Sequence, residues 1–163
     1  MMKLRIGLGH DMHAFAPEAS GRPLLLGGVT IPGCRGLAGH SDADVLLHSV
    51  CDAILGALGL GDLGKHFPDS DPAWKGVSSL VLLEKVSDMM RTSGWQLVNL
   101  DAIVIAQQPR LAPHMEAMRQ AIASALQSDP GAVNIKGKSP EGLGSLGRSE
   151  GIAAESVALL GAR

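Results

Sequence analysis

The 163-residue sequence predicts an α+β fold: a mixed sheet covered on one side by about three helices. Three observations carry that expectation. Helix-period and strand-period segments alternate irregularly, without a repeating βα pair. No linker, internal repeat or low-complexity tract divides the chain, which reads as a single domain over 1–163. With 45% hydrophobic and 18% charged residues, the composition is that of a globular chain able to bury a core.

In order, Leu4 to Leu8 reads as a strand and Pro23 to Ile31 as two short strands around Gly27 and Gly28. A Gly/Pro loop from Pro32 to Gly39 leads to a helix with Ser41 and Asp42 as natural caps. Leu47, Val50, Cys51, Ile54 and Leu58 recur on it at helical spacing, and it ends near Gly59. Gly59 to Pro72 holds too much Gly and Pro to be regular, and its Asp, His and Phe residues favour a functional loop. Ser78 to Ser93 reads as a helix started by serine and stopped by Gly94. Trp95 to Ile105 alternates as a strand, with Val98, Leu100, Ala102 and Val104 on one face. Pro113 suits the first turn of a third helix, whose core stripe is Met115, Met118, Ile122 and Ala125. Val133 to Gly137 is a short strand, and a Gly/Ser-rich stretch carries Glu141 and Arg148. Ile152 to Leu160 stays open between helix, from its Ala and Glu, and strand, from its length and alternation.

Several function classes drop out. Net charge is −2 with no basic run, and the only aromatics are Phe15, Phe67, Trp74 and Trp95, so neither the field nor the stacking surface for nucleic acid is present. The most apolar window, Val45 to Leu60, is interrupted by His48 and Asp52, so no membrane span is expected. The start, Met1-Met2-Lys3-Leu4, lacks a signal-like apolar segment, and Cys34 and Cys51 suit buried thiols in a reducing cytoplasm.

The chemistry gathers in two stretches. In Ala38-Gly39-His40-Ser41-Asp42-Ala43-Asp44, running on to His48, residues 44 and 48 are four apart on one helical stripe, which Asp52 extends by a turn. In Gly9-His10-Asp11-Met12-His13, residues 11 and 13 are two apart and share one side of an extended chain. Asp11, His13 and His48 then make a three-ligand divalent-metal set with an open fourth position, as catalytic zinc requires. Asp44 and Asp42 could orient a ligating histidine, and for Asp42 a plain helix cap is an equal reading. A zinc phosphohydrolase remains possible, and so does a non-enzymatic metal staple with His10 or His40 as fourth ligand.

Six stretches in register carry a family resemblance: Gly9 to Phe15; Ala38 to Asp44 with His48; Gly61-Asp62-Leu63-Gly64-Lys65; Phe67-Pro68-Asp69-Ser70-Asp71-Pro72; Ala106-Gln107-Gln108-Pro109; and Gly147-Arg148-Ser149-Glu150-Gly151. From about Lys3 to Leu160 the chain resembles the 2-C-methyl-D-erythritol 2,4-cyclodiphosphate synthases. The resemblance implies a homotrimer of α+β subunits with active sites between them, and a strand for the final segment. It implies cyclisation of 4-diphosphocytidyl-2-C-methyl-D-erythritol 2-phosphate with release of CMP, in non-mevalonate isoprenoid synthesis.

By the same resemblance, Asp11, His13 and His48 match zinc ligands, one ion per site, and Glu141 matches the carboxylate for magnesium or manganese. His40 and Ser139 match transition-state stabilisers. Asp11, Met12, His13, His40, Ser41, Asp62, Leu63, Gly64, Phe67, Pro68, Asp69, Ser70 and Asp71 match substrate-binding positions, as do Lys138, Ser139, Pro140, Glu141, Ser145 and Arg148. Ala106, Gln107, Gln108, Pro109, Arg110, Leu111 and Ala112 match a cytidine pocket lent by the neighbouring subunit. The chain departs from the family at His10 and Ser145, where many members have phenylalanine facing a central channel, so that channel should be more polar here. It departs again at Lys138-Ser139-Pro140-Glu141, where a threonine-rich form is common.

Overall fold

The computed structural model describes residues 3–163; Met1 and Met2, at which the expected absence of a signal segment begins, lie outside the described residues. A four-stranded sheet runs in the order β1 (Leu4–Ala14), β6 (Gly151–Ala162), β4 (Trp95–Ile105), β5 (Val133–Lys138). The pairs β1/β6 and β4/β6 are antiparallel and β4/β5 is parallel, so the sheet is mixed as expected. A separate hairpin pairs β2 (Pro23–Leu26) with β3 (Val29–Arg35), extending the expected strand past Pro32. Three long helices, α1 (Val45–Leu58), α3 (Ser79–Thr92) and α4 (Met115–Leu126), pack on the sheet and on each other, and one hydrophobic cluster joins them to it. The loop 59–72 contains the single turn α2 (Leu63–His66), and a second single turn, α5 (Gly144–Gly147), interrupts the Gly/Ser-rich stretch. Among the described residues no helix is long and apolar enough to cross a membrane.

The ambiguous last segment is β6, a central strand hydrogen-bonded on both edges. Its Ile152, Ala154, Ser156, Ala158 and Leu160 are all buried, so two-residue periodicity prevails over the helical leaning of its alanines. Strand β1 runs six residues beyond Leu8, to Ala14. Its inward face reads Gly7, Gly9, Asp11, His13, a series too short of apolar side chains to announce a strand. In β4, Val98 leaves the expected face: a bulge between Leu97 and Asn99 turns it outward to 40% exposure, whereas Leu100, Ala102 and Val104 are fully buried.

Helix α1 is buried at twelve of its positions and sits hard against β1. A Cβ at Gly9 would lie 1.8 Å from the Ser49 carbonyl oxygen, and one at Gly7 2.0 Å from that of Ala53. The Arg5 guanidinium reaches the other end of α1 and donates to the Leu58 carbonyl at 2.8 Å. The helix N-cap is Asp44, not Ser41 or Asp42. Its carboxylate accepts from Leu47 N at 3.1 Å, and also from Gly27 N at 2.9 Å and Gly28 N at 2.7 Å in the β2–β3 turn. One buried side chain therefore starts the helix and fastens the hairpin to it.

Replacing Asp44 with alanine removes a cap and strands the buried Gly27 N–H and the half-buried Gly28 N–H. Asp44→Ala should lower the unfolding free energy of the metal-free protein by about 2–4 kcal/mol, read as an unchanged slope and reduced midpoint in urea.

Candidate metal centre and its cavity

The alternation of β1 places Asp11 and His13 on the helix side of the sheet, and the first turn of α1 lowers His48 between them. Asp11 Oδ2 lies 2.8 Å from His13 Nε2 and 3.0 Å from His48 Nδ1, and the two ring nitrogens are 3.2 Å apart. Three ligand atoms thus converge within 4.8 Å of one another. His13 Nδ1 lies 2.6 Å from the Ala38 carbonyl, which can only accept, so Nδ1 carries the proton and Nε2 presents its lone pair to the cluster. Two imidazoles and a carboxylate with an open side fit a divalent ion such as zinc. Neither histidine weighed as a fourth ligand joins them. His10 projects from the opposite face of β1, more than half exposed and 3.5 Å from Glu155, and His40 Nδ1 stands 3.7 Å from Asp69.

The three converging groups tune one another. Burial opposes ionisation of Asp11, but the adjoining imidazoles of His13 and His48 prevail and hold its carboxyl far below the usual range. The bond to Asp11 raises the pKa of His13 against the opposing effect of burial.

The open side of the triad faces a cavity of about 370 Å³. Its walls include the predicted His40, Ser41, Asp62, Leu63, Gly64, Phe67 and Asp69. The gathering is local in origin. Asp62 caps α2 by accepting from Lys65 N at 2.9 Å, and Asp52, its pKa raised by burial, accepts from Leu63 N at 2.7 Å, tying α2 to α1. The Phe67 ring packs edge-on against Trp74, with centroids 5.0 Å apart. Pro68, Ser70 and Asp71 stand off the cavity wall; Asp71 instead accepts from Ala73 N at 2.9 Å to start the next turn.

Two expectations are corrected. Asp44 does not orient His48: its fully buried carboxylate is occupied by the three backbone N–H groups of the cap and hairpin, and it is absent from the cavity wall. Met12 lies between two inward residues, so its side chain projects from the opposite face of the sheet, 56% exposed, and only its backbone lies near the triad.

The remaining predicted residues form a second group. Ala106, Gln107, Pro109, Arg110, Leu111 and Ala112 line another cavity, of about 480 Å³, with Lys138 and Ser139 on its far wall. Gln108 faces a smaller hollow beside Cys34. Ser139 Oγ accepts from Glu141 N at 2.9 Å, and Gln107 Oε1 accepts from Gly142 N at 3.0 Å, linking this loop to the exposed Glu141, which follows Pro140. Ser145 lies in α5, and Arg148 at its end pairs with Glu150 at 2.6 Å. Within one chain, therefore, Glu141 and Ser139 are not on the wall of the triad's cavity. Sequence reasoning missed Ser79, whose hydroxyl lies 2.9 Å from His48 Nε2, and Arg22, which donates to the Gly39 carbonyl at 2.7 Å and to that of Ser41, bracketing His40. Ser79 showed only as a residue at a helix start, and nothing in the sequence marked Arg22.

Fold and centre together define a class of protein: α+β chains that carry an Asp-His-His triad where the first long helix meets an edge strand, beside an open cavity. The chain belongs to the YgbB family, whose model matches residues 4–161. It is 58% identical over 156 residues to the 2-C-methyl-D-erythritol 2,4-cyclodiphosphate synthase of Bordetella pertussis, covering 96% of this chain and 94% of that protein. It is 54% identical over 156 residues to the protein of that name from Bacillus cereus, covering 96% and 97%. Among solved structures, the bifunctional IspDF from Campylobacter jejuni superposes with a TM-score of 0.94 at 43% identity, over 100% of this chain and 43% of that one. A CDP-bound 2C-methyl-D-erythritol-2,4-cyclodiphosphate synthase gives 0.86 at 35% identity, over 96% and 99%.

The shifts at Asp11 and His13 set a pH window for the metal-free protein. Asp11, depressed on folding, contributes stability above its ordinary value of 3.8 that is lost as pH falls. His13, raised on folding, contributes stability below its ordinary value of 6.5 that is lost as pH rises through its folded value. The stability that His13→Ala removes should therefore be greatest between about pH 4 and 6.5 and shrink on either side, measured by urea unfolding in chelator.

Proposed function

We propose that this chain converts 4-diphosphocytidyl-2-C-methyl-D-erythritol 2-phosphate to 2-C-methyl-D-erythritol 2,4-cyclodiphosphate and CMP, as a cyclising phosphorus–oxygen lyase. The reading places it in non-mevalonate isoprenoid precursor synthesis in the cytoplasm. The observation that carries it is the three-ligand centre, open to a cavity, in a chain 58% identical to a synthase of that name.

An oxygen of the 2-phosphate attacks the β-phosphorus of the same molecule, and the bond from that phosphorus to the bridging oxygen breaks, so CMP leaves with the electron pair. Both reacting groups are anionic, and the arms carrying them are flexible. The barrier is therefore mostly charge repulsion and lost conformational freedom, and no protein nucleophile is required. Asp11, His13 and His48 would hold zinc, and Glu141 would hold magnesium or manganese. Bound there, the two ions supply electrophilic polarisation of the β-phosphate and neutralisation of the departing CMP. His40 and Ser139 stabilise charge that builds on the phosphates. Ser41, Asp62 to Gly64, Phe67 and Asp69 hold the methylerythritol end, while Ala106 to Ala112 hold the cytidine largely through backbone groups. In one chain the triad and the cytidine loop line separate cavities. The proposed homotrimer lets the loop and Glu141 of one subunit complete the triad's cavity on the next.

Phosphorus NMR of the protein with the proposed substrate and magnesium should show paired ring-diphosphate resonances and CMP, lost with a zinc chelator. Release of inorganic phosphate or an open phosphomonoester would replace this reading with a hydrolase. His48→Ala should lower turnover by more than about a thousandfold, the scale of several kcal/mol of Lewis-acid stabilisation. In Glu141→Gln the zinc content should stay while the response of turnover to magnesium drops at least several-fold; an unchanged response would remove Glu141 from the ion site.

A further inference from the structure

We propose that Ser79, held in place by Asp42, is a positioning residue that fixes His48 as its Nε2–H tautomer and so aims the Nδ1 lone pair at the metal. The inference rests on the metal reading of the triad. Asp42 sits in the loop before α1, and its carboxylate meets the first residue of α3 twice. Oδ2 accepts from Ser79 N at 2.9 Å, and Oδ1 accepts from the Ser79 hydroxyl. The Ser79 side chain is fully buried, so no water competes for that hydroxyl. A hydroxyl has one proton, and this one is committed to an acceptor-only group. What Ser79 Oγ offers His48 Nε2, at 2.9 Å, is therefore a lone pair. Nε2 must be the protonated nitrogen to use it, leaving Nδ1 free to ligate.

Ser41 is compatible with the assignment: its Oγ accepts from Ala43 N at 3.2 Å and lies 3.1 Å from His48 Nε2, with a lone pair still available to that N–H. The relay also settles the part of Asp42. It acts on the ligating histidine through an intervening serine, and the same carboxylate supplies the cap that Ser78, at the N-cap position of α3, does not provide with its own side chain. Partners of this kind around a metal-bound histidine commonly change metal affinity 10–100-fold.

The experiment compares wild type, Ser79→Ala and Ser79→Thr, using zinc itself as the probe in competition with a chromophoric chelator. Ring-nitrogen NMR of the zinc-loaded and free proteins reports the tautomer. Ser79→Ala should weaken zinc binding about 10–100-fold with its thermal midpoint little changed, and Ser79→Thr, which keeps the hydroxyl, should recover most of the loss. Wild type loaded with zinc should show His48 protonated at Nε2 and ligated through Nδ1. Equal zinc affinity in wild type and Ser79→Ala, or ligation through Nε2, would overturn the proposal. So would an affinity loss that tracks a fall in thermal midpoint while the tautomer is unchanged. If wild type takes up no zinc, the metal reading of the site fails instead. The relay is then read from the free protein: an Nε2–H signal present in wild type and lost in Ser79→Ala upholds it, and one present in both overturns it.

Discussion

The distance between helix α1 and strand β1 is the quantity on which the rest of this structure depends. Two glycines set it, because any Cβ at position 7 or 9 would occupy space already held by helix backbone. The next two inward positions of the strand are Asp11 and His13, and the helix residue above them is His48. Metal–ligand bond lengths tolerate only about 0.2 Å, so ligands supplied by two elements need those elements held at one separation. The glycines that bring the backbones together and the polar residues that follow them are parts of one device. The first permits the approach and the second uses it.

That approach leaves polar atoms in a dry region, and each of them is matched. Ser49 on α1 lies 2.7 Å from Ser156 on β6 and donates to the Leu46 carbonyl, or accepts in turn. Asp44 takes three backbone donors. Asp42 takes two from Ser79. These contacts join α1 to the central strand, to the β2–β3 hairpin and to α3. Among these elements α3, which contributes Leu82 to the cavity wall, is thereby fastened to the start of the helix that carries a ligand. A change at any one of these contacts would be felt at His48.

How much of this was legible in the sequence depended on whether the signal was local. The triad was readable because a two-residue spacing on a strand and a four-residue stripe on a helix are both short-range facts. The ends of α1 at Gly59 and of α3 near Gly94 were readable for the same reason, and so was the whole span of β4. The length of β1 was hidden because its inward face is glycine and ligand, residues chosen for approach and chemistry over strand propensity. Ser41 and Asp42, the caps expected for α1, fall three and two residues short of Asp44. The choice of Asp44 is made by Gly27 and Gly28, seventeen and sixteen residues away, which no local rule contains. Ser79 escaped notice because its role exists only through the thirty-one residues that separate it from His48.

The opposite face of the sheet supplies the last constraint. Leu4, Ile6, Leu8 and Met12 on β1, with Val157 on β6, stand exposed at 38% to 70%, a run of apolar side chains larger than scattered surface residues account for. His10 interrupts that run and pairs with Glu155 across the strands, so this surface is polar at its middle. A homotrimer of the kind proposed for this chain would cover such a face. It would also answer the separation of the triad's cavity from that of the Ala106 to Ala112 loop, if a neighbour brought the two together. Burial of an apolar sheet face and completion of a divided site are then consequences of one association. His10 and Glu155 stand on the face opposite the ligands, so their polarity leaves the helix side untouched.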